Sequence, residues 1–197
     1  MPEPTRWRYY TATTLDGFLA DDHDDLSWLL RQPIDDDGPM NYSDFIADVG
    51  AVVMGATTYQ WVIDNEVSQG RPWPYAVPVF VFTHRDLDPV SPAIRVVSGS
   101  PSALRGDMSD AANGNDVWIA GGGGLASQFA AAGMLDEVIV SIAPVTLGCG
   151  RPLFTEPFDL RLIDCARNEG FLCARYEVIA PSATDPSAQV GDAAGSR

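Results

Sequence analysis

The fold follows from residues 116–133, which read D-V-W-I-A-G-G-G-G-L-A-S-Q-F-A-A-A-G. Residues 117–120 form an apolar run that is typical of a strand buried on both faces. After four glycines, apolar residues recur at helical spacing until Gly133, which we expect to end a helix. Strand, glycine turn and helix together present free backbone N–H groups and a positive helix end to an anion. We therefore expect a phosphate-bearing ligand here, and the alternative is a tight turn without a ligand.

The rest of the chain alternates strands with helices. Further strands are expected at residues 7–13, 49–54, 77–82, 94–97 and 137–142. A helix is expected at residues 42–48 with Asn41 or Ser43 as its cap, and another after Gly55 with a threonine placed to cap it. Because most strand runs are continuously apolar, the sequence predicts an α/β fold with a mostly parallel sheet covered on both faces. Ligands of such sheets bind outside the carboxyl ends of the strands.

The C-terminal part of the chain predicts a hairpin and then a tail. Residues 160–167 and 171–179 alternate in polarity, and the residues Asn168-Glu169-Gly170 between them suggest a three-residue hairpin loop. That register would place Cys165 opposite Cys173, although free thiols remain the expectation in a reducing compartment. Residues 181–197 have almost no apolar content, which predicts disorder and leaves one domain at residues 6–180.

Composition excludes several classes of function. The chain has 197 residues and a net charge of −15, which disfavours nucleic acid and anionic membranes as partners. All 12 basic residues are arginines, so a Schiff-base lysine, a P-loop lysine and a lysine general base are excluded. The three cysteines show no metal-binding spacing, so we expect no metal site. The sequence has no long apolar run and no signal peptide pattern, which predicts a cytoplasmic protein.

Five stretches, taken in order, resemble a known family. V-V-M-G-A-T-T-Y (52–59), V-F-T-H-R (81–85) and I-A-G-G-G-G (119–124) resemble the dihydrofolate reductase superfamily. Y-Y-T-A-T-T-L-D-G-F-L-A (9–20) and A-P-V-T-L-G-C-G-R-P-L-F (143–154) are similar to one of its branches. That branch holds the reductase domain of the bifunctional riboflavin-biosynthesis deaminase–reductase and its stand-alone relatives. The resemblance implies a three-layer α/β/α fold of the dihydrofolate reductase type.

The resemblance also implies an activity. It points to an NADPH-dependent oxidoreductase that transfers hydride to a heterocyclic substrate, of the 5-amino-6-(5-phosphoribosylamino)uracil reductase type, and to a homodimer. No deaminase zinc motif is present, so the chain would be the reductase half alone. Two alternatives remain open. One is a dihydrofolate or pterin reductase, and the other is a nucleotide-binding dimer that has lost catalysis.

Site residues follow from the positions that match the family pattern. The pyrophosphate would lie on the glycine run and on the strand–glycine–helix junction before it, the adenosine ribose and its 2′-phosphate on a polar strand exit, and the nicotinamide beside the first strand. In chain order these cofactor-binding residues are Ala12, Leu19, Gly55, Thr57, Thr58, Thr83, His84, Arg85, Gly121, Gly122, Gly123 and Gly124. The family often has an arginine that pairs with the 2′-phosphate where this chain has Ala56.

Two aspartates are candidates for the substrate side. Asp16 lies on an Asp-Gly turn beside the expected nicotinamide site, and we expect it to contact substrate or deliver a proton. The alternative is an ordinary turn aspartate that bonds its own backbone. Asp44 lies in roughly the helix where a dihydrofolate reductase holds its pterin-binding carboxylate, but the spacing matches poorly. His84 has a similar alternative, since it could simply end a strand.

Overall fold

The secondary structure comes from a computed structural model, in which residues 5–179 are described. Within them the strands are β1 (Trp7–Thr14), β2 (Phe18–Ala20), β3 (Val49–Gly55), β4 (Val79–Phe82), β5 (Ile94–Val97), β6 (Asp116–Gly121), β7 (Glu137–Ala143), β8 (Arg151–Pro152), β9 (Asp159–Asn168) and β10 (Phe171–Ile179). The α-helices are α1 (Ser27–Leu30), α2 (Tyr42–Ala47), α3 (Ala56–Asn65), α4 (Arg105–Ala112) and α5 (Gly123–Ala131). Short 3-10 helices lie at Val67–Gln69 and Pro101–Leu104. The predicted disordered tail at residues 181–197 lies outside the described residues.

One large sheet organises the chain. Its eight strands have the order β5-β4-β3-β6-β1-β7-β10-β9. The six strands from β5 to β7 are parallel, and β10 and β9 continue the sheet in antiparallel pairing. Strand β6 inserts between β3 and β1 although it comes much later in the chain, which opens a crevice at the carboxyl ends of these strands. The predicted mostly parallel sheet with an antiparallel C-terminal hairpin is confirmed.

Helices cover both faces of this sheet, which explains the continuously apolar strands. Along β3, Val53 faces the core that contains Phe129 of α5, whereas Val52 faces the core that contains Tyr59 of α3. Both valines are fully buried, as is Phe129. Alternate residues of one strand thus pack into two separate cores, which gives the predicted three layers. No helix in residues 5–179 is both long and apolar enough to cross a membrane.

A buried arginine joins the amino ends of the three central strands. Arg8 of β1 is only 8% exposed, and its Nη1 lies 3.1 Å from Asp116 Oδ2 on β6. Its Nε donates to Glu137 Oε2 on β7 at 2.6 Å. The guanidinium also lies over the Phe45 ring, 5.0 Å from the ring centroid. Arg6 Nη2 adds a second contact to Asp116, again at 3.1 Å. The ion pairs therefore lie at the amino ends of these strands, whereas the crevice lies at the carboxyl ends.

The hairpin register differs from the prediction by one residue. Asn168 belongs to β9 and pairs with Phe171, so the loop has two residues and Cys173 lies opposite Ala166. The predicted pairing of Cys165 with Cys173 is therefore wrong, because Cys165 lies opposite Ala174. The side chain of Asn168 holds the end of the strand: Oδ1 accepts from Asp35 N and Nδ2 donates to Asp35 O, both at 2.9 Å. All three thiols are free, as predicted.

Candidate functional site

A cleft of about 670 Å³ lies at the carboxyl ends of β1, β6, β3 and β4. Most of the predicted cofactor-binding residues line it: Ala12, Leu19, Gly55, Thr57, Thr58, Thr83, His84, Gly121, Gly122, Gly123 and Gly124. Residues after β5 extend it, so it crosses five adjacent strands. At about 4.8 Å between strands, five strands span roughly 19 Å, which suits an elongated ligand.

Two helices begin at this cleft without a side-chain cap. The N-cap residues are Gly55 for α3 and Gly122 for α5, both with extended backbone angles. Neither helix has an acidic residue in its first turn. The predicted threonine cap of α3 is wrong, because Gly55 takes the cap position and Thr57 and Thr58 belong to the first helical turn. The first-turn N–H groups of both helices thus remain available to an anion in the cleft.

The four glycines of the run meet different surroundings. A Cβ on Gly123 would collide with the carbonyl oxygens of Pro152 and Leu153. Gly121 has a φ of +138°, which L side chains rarely adopt, and is joined to Gly122 by a cis peptide bond. A Cβ on Gly122, by contrast, would meet no atom within 4 Å. Packing and backbone conformation therefore explain Gly121 and Gly123, whereas Gly122 leaves its backbone open to the cleft.

The far end of the cleft, at β4 and β5, is polar. Thr83 and His84 follow β4 and line the cleft together with Ser98 and Gly99, which follow β5. Arg85 comes next along the chain, is exposed, and is not among the lining residues. Its backbone N donates to Thr83 Oγ1 at 3.0 Å, which fixes the turn at this strand exit. The structure thus brings Thr83 and His84 into the site and leaves Arg85 beside it.

The near end of the cleft, at β1 and β2, is mostly apolar. Ala12 lies on β1 and Leu19 on β2, and both line the cleft as the sequence predicted. Leu26, Leu29 and Trp61 complete this wall and were not predicted. The apolar periodicity of the region 26–30 was the signal for the two leucines, but it did not indicate which surface they cover. A flat ring can lie against these side chains because the wall is apolar and the strand residue is small.

Asp16 was predicted as the catalytic residue, but the structure does not bring it into the cleft. Its Oδ1 accepts from Thr14 Oγ1 at 2.5 Å, and its Oδ2 accepts from Gly148 N at 2.7 Å and Leu147 N at 3.0 Å. The Thr14 hydroxyl and then the Gly148 N–H hold the pKa of the Asp16 carboxyl below its usual value. Such a carboxylate stays ionised at neutral pH. Asp16 instead anchors the loop that leads to β8.

Arg151 is a lining residue that sequence reasoning missed. It belongs to β8, which pairs with β2 in a separate two-stranded sheet, with Arg151 opposite Ala20. Its Nε donates to Asp24 Oδ1 at 2.6 Å, and its Nη2 to Asp24 Oδ2 at 3.2 Å. The only signal was a single basic residue in the glycine- and proline-rich loop. A contact spanning 127 residues of chain could not be read from local pattern.

Asp44, the weaker candidate for pterin binding, lies on α2 and does not line the cleft. Its Oδ2 accepts from Asn41 Nδ2 at 2.9 Å, and its backbone N donates to Asn41 Oδ1 at 2.8 Å. Of the two predicted caps, Asn41 is the one that caps this helix, and Asp44 completes that cap. The carboxylate therefore has a local structural role at the helix start.

The fold and the site together define an α/β protein of the dihydrofolate reductase type, with a glycine-lined cleft at the carboxyl edge of its sheet. The model of the RibD C-terminal domain matches residues 8–168, and the chain belongs to this family. The resemblance drawn from the five sequence stretches is thereby confirmed.

Two solved structures have the same fold, and a further protein is similar in sequence. A structure from Shewanella sp. PV-4, described as a riboflavin biosynthesis protein, is 25% identical with a TM-score of 0.76, and the match covers 89% of this chain and 99% of that one. RibD of Acinetobacter baumannii is 18% identical with a TM-score of 0.61, covering 89% of this chain and 58% of its own. The uncharacterized protein YwjB of Bacillus subtilis is 29% identical over 161 residues, which cover 75% of this chain and 81% of YwjB.

Proposed function

We propose that this protein is an NADPH-dependent reductase of the riboflavin-pathway type, which transfers hydride to a C=N or C=O bond of a heterocyclic substrate. The observation that carries the proposal is the convergence of two uncapped helix N-termini, those of α3 and α5, on one cleft. Membership of the RibD C-terminal domain family supports it. The nicotinamide cofactor would supply the hydride, and the protein would supply binding and orientation.

The cleft fits such a cofactor along its length. The first-turn N–H groups of α3 and α5 would hold the pyrophosphate, since the open backbone at Gly122 lets a phosphate approach closely. Thr83 and His84 would contact the adenosine ribose at the polar end. At the other end Ala12 and Leu19 would flank the nicotinamide ring, and the leucines and Trp61 would keep water away from it. The change from a polar to an apolar end along the cleft supports this placement of the cofactor.

Two measurements test the proposal. Calorimetry gives the affinity for NADPH, and loss of the NADPH absorbance band with a panel of pyrimidines and pterins gives turnover. We expect tight NADPH binding and turnover with at least one pyrimidine. Tight binding without turnover on any compound would instead favour a nucleotide-binding protein that has lost catalysis. That alternative has a specific basis, because the carboxylate of Asp16 is tied to a loop outside the cleft. Failure to bind NADPH would refute both the reductase and the nucleotide-binding alternative.

Arg85 provides a sharper prediction about the cofactor. With Ala56 where the family often has arginine, Arg85 is the cation nearest in sequence to the polar end of the cleft. A charge-assisted hydrogen bond to phosphate contributes about 1.5–3 kcal/mol, so we expect Arg85→Ala to weaken NADPH binding by roughly 10- to 100-fold. NADH lacks the 2′-phosphate and should bind almost unchanged. Calorimetry with both cofactors measures the difference.

Arg161→Ala is a matched control for this substitution, because Arg161 lies on β9 and pairs with Glu177 far from the cleft. It removes the same charge and should leave both affinities unchanged. An equal loss for NADPH and NADH in Arg85→Ala would mean that Arg85 is structural. If neither affinity changes, the 2′-phosphate lies elsewhere.

A further inference from the structure

A second recess of about 400 Å³ opens beside the apolar end of the cleft. It lies between the start of α1 and the outer face of α3, and it shares Asp24, Leu26, Thr57 and Trp61 with the cleft. The two cavities therefore adjoin each other, with the recess beyond the position assigned to the nicotinamide. We call this recess together with the apolar end the substrate half. A substituent on a heterocycle in the cleft would extend into it.

The charged side chains of the substrate half are mostly carboxylates. Asp24, Asp25 and Asp64 line the recess, and Arg151 is the single arginine among the described residues that line either cavity. Three carboxylates and one guanidinium leave a net charge of −2 with the histidines neutral. The chain has no lysine that could change this balance. A phosphate monoester carries a charge of about −1.5 to −2 at neutral pH, and it would meet like charge here.

Arg151 is already paired with a carboxylate of the protein. Its Nε and Nη2 donate to the two carboxylate oxygens of Asp24 at 2.6 and 3.2 Å, and Nη2 also lies 3.4 Å from Asp22 O. Asp24 first, and then Asp22 and Asp21, raise the pKa of the Arg151 guanidinium. A phosphate that recruited Arg151 would have to replace Asp24 and remain beside several carboxylates. The two N–H groups of Arg151 that could bind a phosphate side by side are therefore already bonded to Asp24.

We propose that the substrate half takes a heterocycle whose sugar or polyhydroxyl substituent carries no phosphate, with Asp24 as the residue that determines this specificity. The inference rests on the proposed reductase function and narrows its substrate. The apolar wall of Leu26, Leu29 and Trp61 packs against the ring. Hydroxyl groups of the substituent donate hydrogen bonds to the carboxylates of Asp25 and Asp64. An ionised carboxylate can only accept hydrogen bonds, so it suits a hydroxyl donor. Negative charge at the recess repels the phosphorylated analogue.

The test compares a matched pair of ligands by calorimetry. These are 5-amino-6-(5-phosphoribosylamino)uracil and the same compound without its phosphate, each titrated into the protein with and without saturating NADP⁺. We expect the phosphate-free compound to bind at least about tenfold more tightly, with the gap shrinking at high salt because screening weakens the repulsion. Equal or tighter binding of the phosphorylated compound overturns the inference, as does failure of both to bind. NADP⁺ binding, measured in the same experiment, separately decides the proposed function.

Asp24→Asn tests the specificity residue itself. Asp24 has a φ of +62°, a conformation that asparagine tolerates better than most residues, so the loop should keep its shape. The substitution removes the charged partner of Arg151 and lowers the negative charge. We therefore expect the phosphorylated compound to gain about 3- to 10-fold in affinity. The phosphate-free compound should gain nothing. Asp36→Asn, at an exposed loop residue that lines neither cavity, makes the same change in net charge and should alter neither affinity. An equal gain in both variants would attribute the effect to overall charge and overturn the role of Asp24.

Discussion

Gly122→Val is expected to abolish NADPH binding while the fold survives. Gly122 has a φ of −87° and a ψ of −174°, an extended conformation that valine accepts readily. Its new Cβ would meet no protein atom within 4 Å, so the two methyl groups would project into the cleft at the start of α5. They would block the approach of the pyrophosphate to the first-turn N–H groups. Since several charge-assisted hydrogen bonds are lost, we expect affinity to fall by at least about 100-fold.

Calorimetry of NADPH binding and a thermal melt together measure this outcome. Gly123→Ala is the matched control within the same glycine run, because its Cβ would collide with the carbonyl oxygens of Pro152 and Leu153. It should lower the melting temperature, whereas Gly122→Val should change it little. Unchanged NADPH affinity in Gly122→Val would show that the glycine serves only the turn. A large loss of stability in that variant would show that Gly122, too, is required by the fold.

The second large effect is expected at Arg8, where replacement by methionine should destabilise the protein by about 3–5 kcal/mol. The side chains of Asp116 and Glu137, which are only 11% and 12% exposed, would lose their closest common partner. Arg6 still reaches Asp116, and Arg175 Nη1 lies 3.9 Å from Glu137, so part of the carboxylate charge stays compensated. These contacts favour the lower part of that range. Urea unfolding measures the change in the free energy of unfolding.

An exposed ion pair provides the comparison for Arg8. Arg161 and Glu177 pair across the edge hairpin with side chains that are 66% and 46% exposed. Arg161→Met should therefore cost at most about 1 kcal/mol. Similar losses in the two variants would contradict the view that burial gives the Arg8 cluster its importance. NADPH affinity should be unchanged in Arg8→Met, because the cluster lies at the edge of the sheet opposite the cleft.

Local pattern predicted most of the strands and many of the residues that line the cleft. The continuous apolar runs that became β3 and β6 had to be buried on both faces, and only a parallel sheet between helix layers provides that. The strand–glycine–helix junctions at Gly55 and Gly122 revealed both helix starts, since a glycine between an apolar run and a helical period is typical of such a start. Strands and helix starts could thus be predicted because the local sequence itself restricts the backbone conformation at these positions.

Features that depend on distant parts of the chain could not be predicted in this way. Asn168 looked like a loop residue, but its bonds to Asp35 keep it in the strand and shift the hairpin register. The pairing of Arg8 with Asp116 and Glu137 joins three strands far apart in sequence. The position of Arg151 in the cleft likewise depends on a distant partner, Asp24. In each case the partner lies more than 100 residues away, where no periodicity links the two positions.

Residues 150–155 have a consequence for the order of folding. Leu153 N donates to Gly17 O at 2.9 Å, and Thr155 N donates to Ser127 Oγ at 2.9 Å, so this segment joins the turn after β1 to helix α5. Contacts that close such long stretches of chain form slowly, because their entropic cost precedes their stabilisation. The apolar end of the cleft should therefore be complete only after this segment has docked on both partners. A ligand that needs the complete cleft would then slow unfolding without accelerating folding.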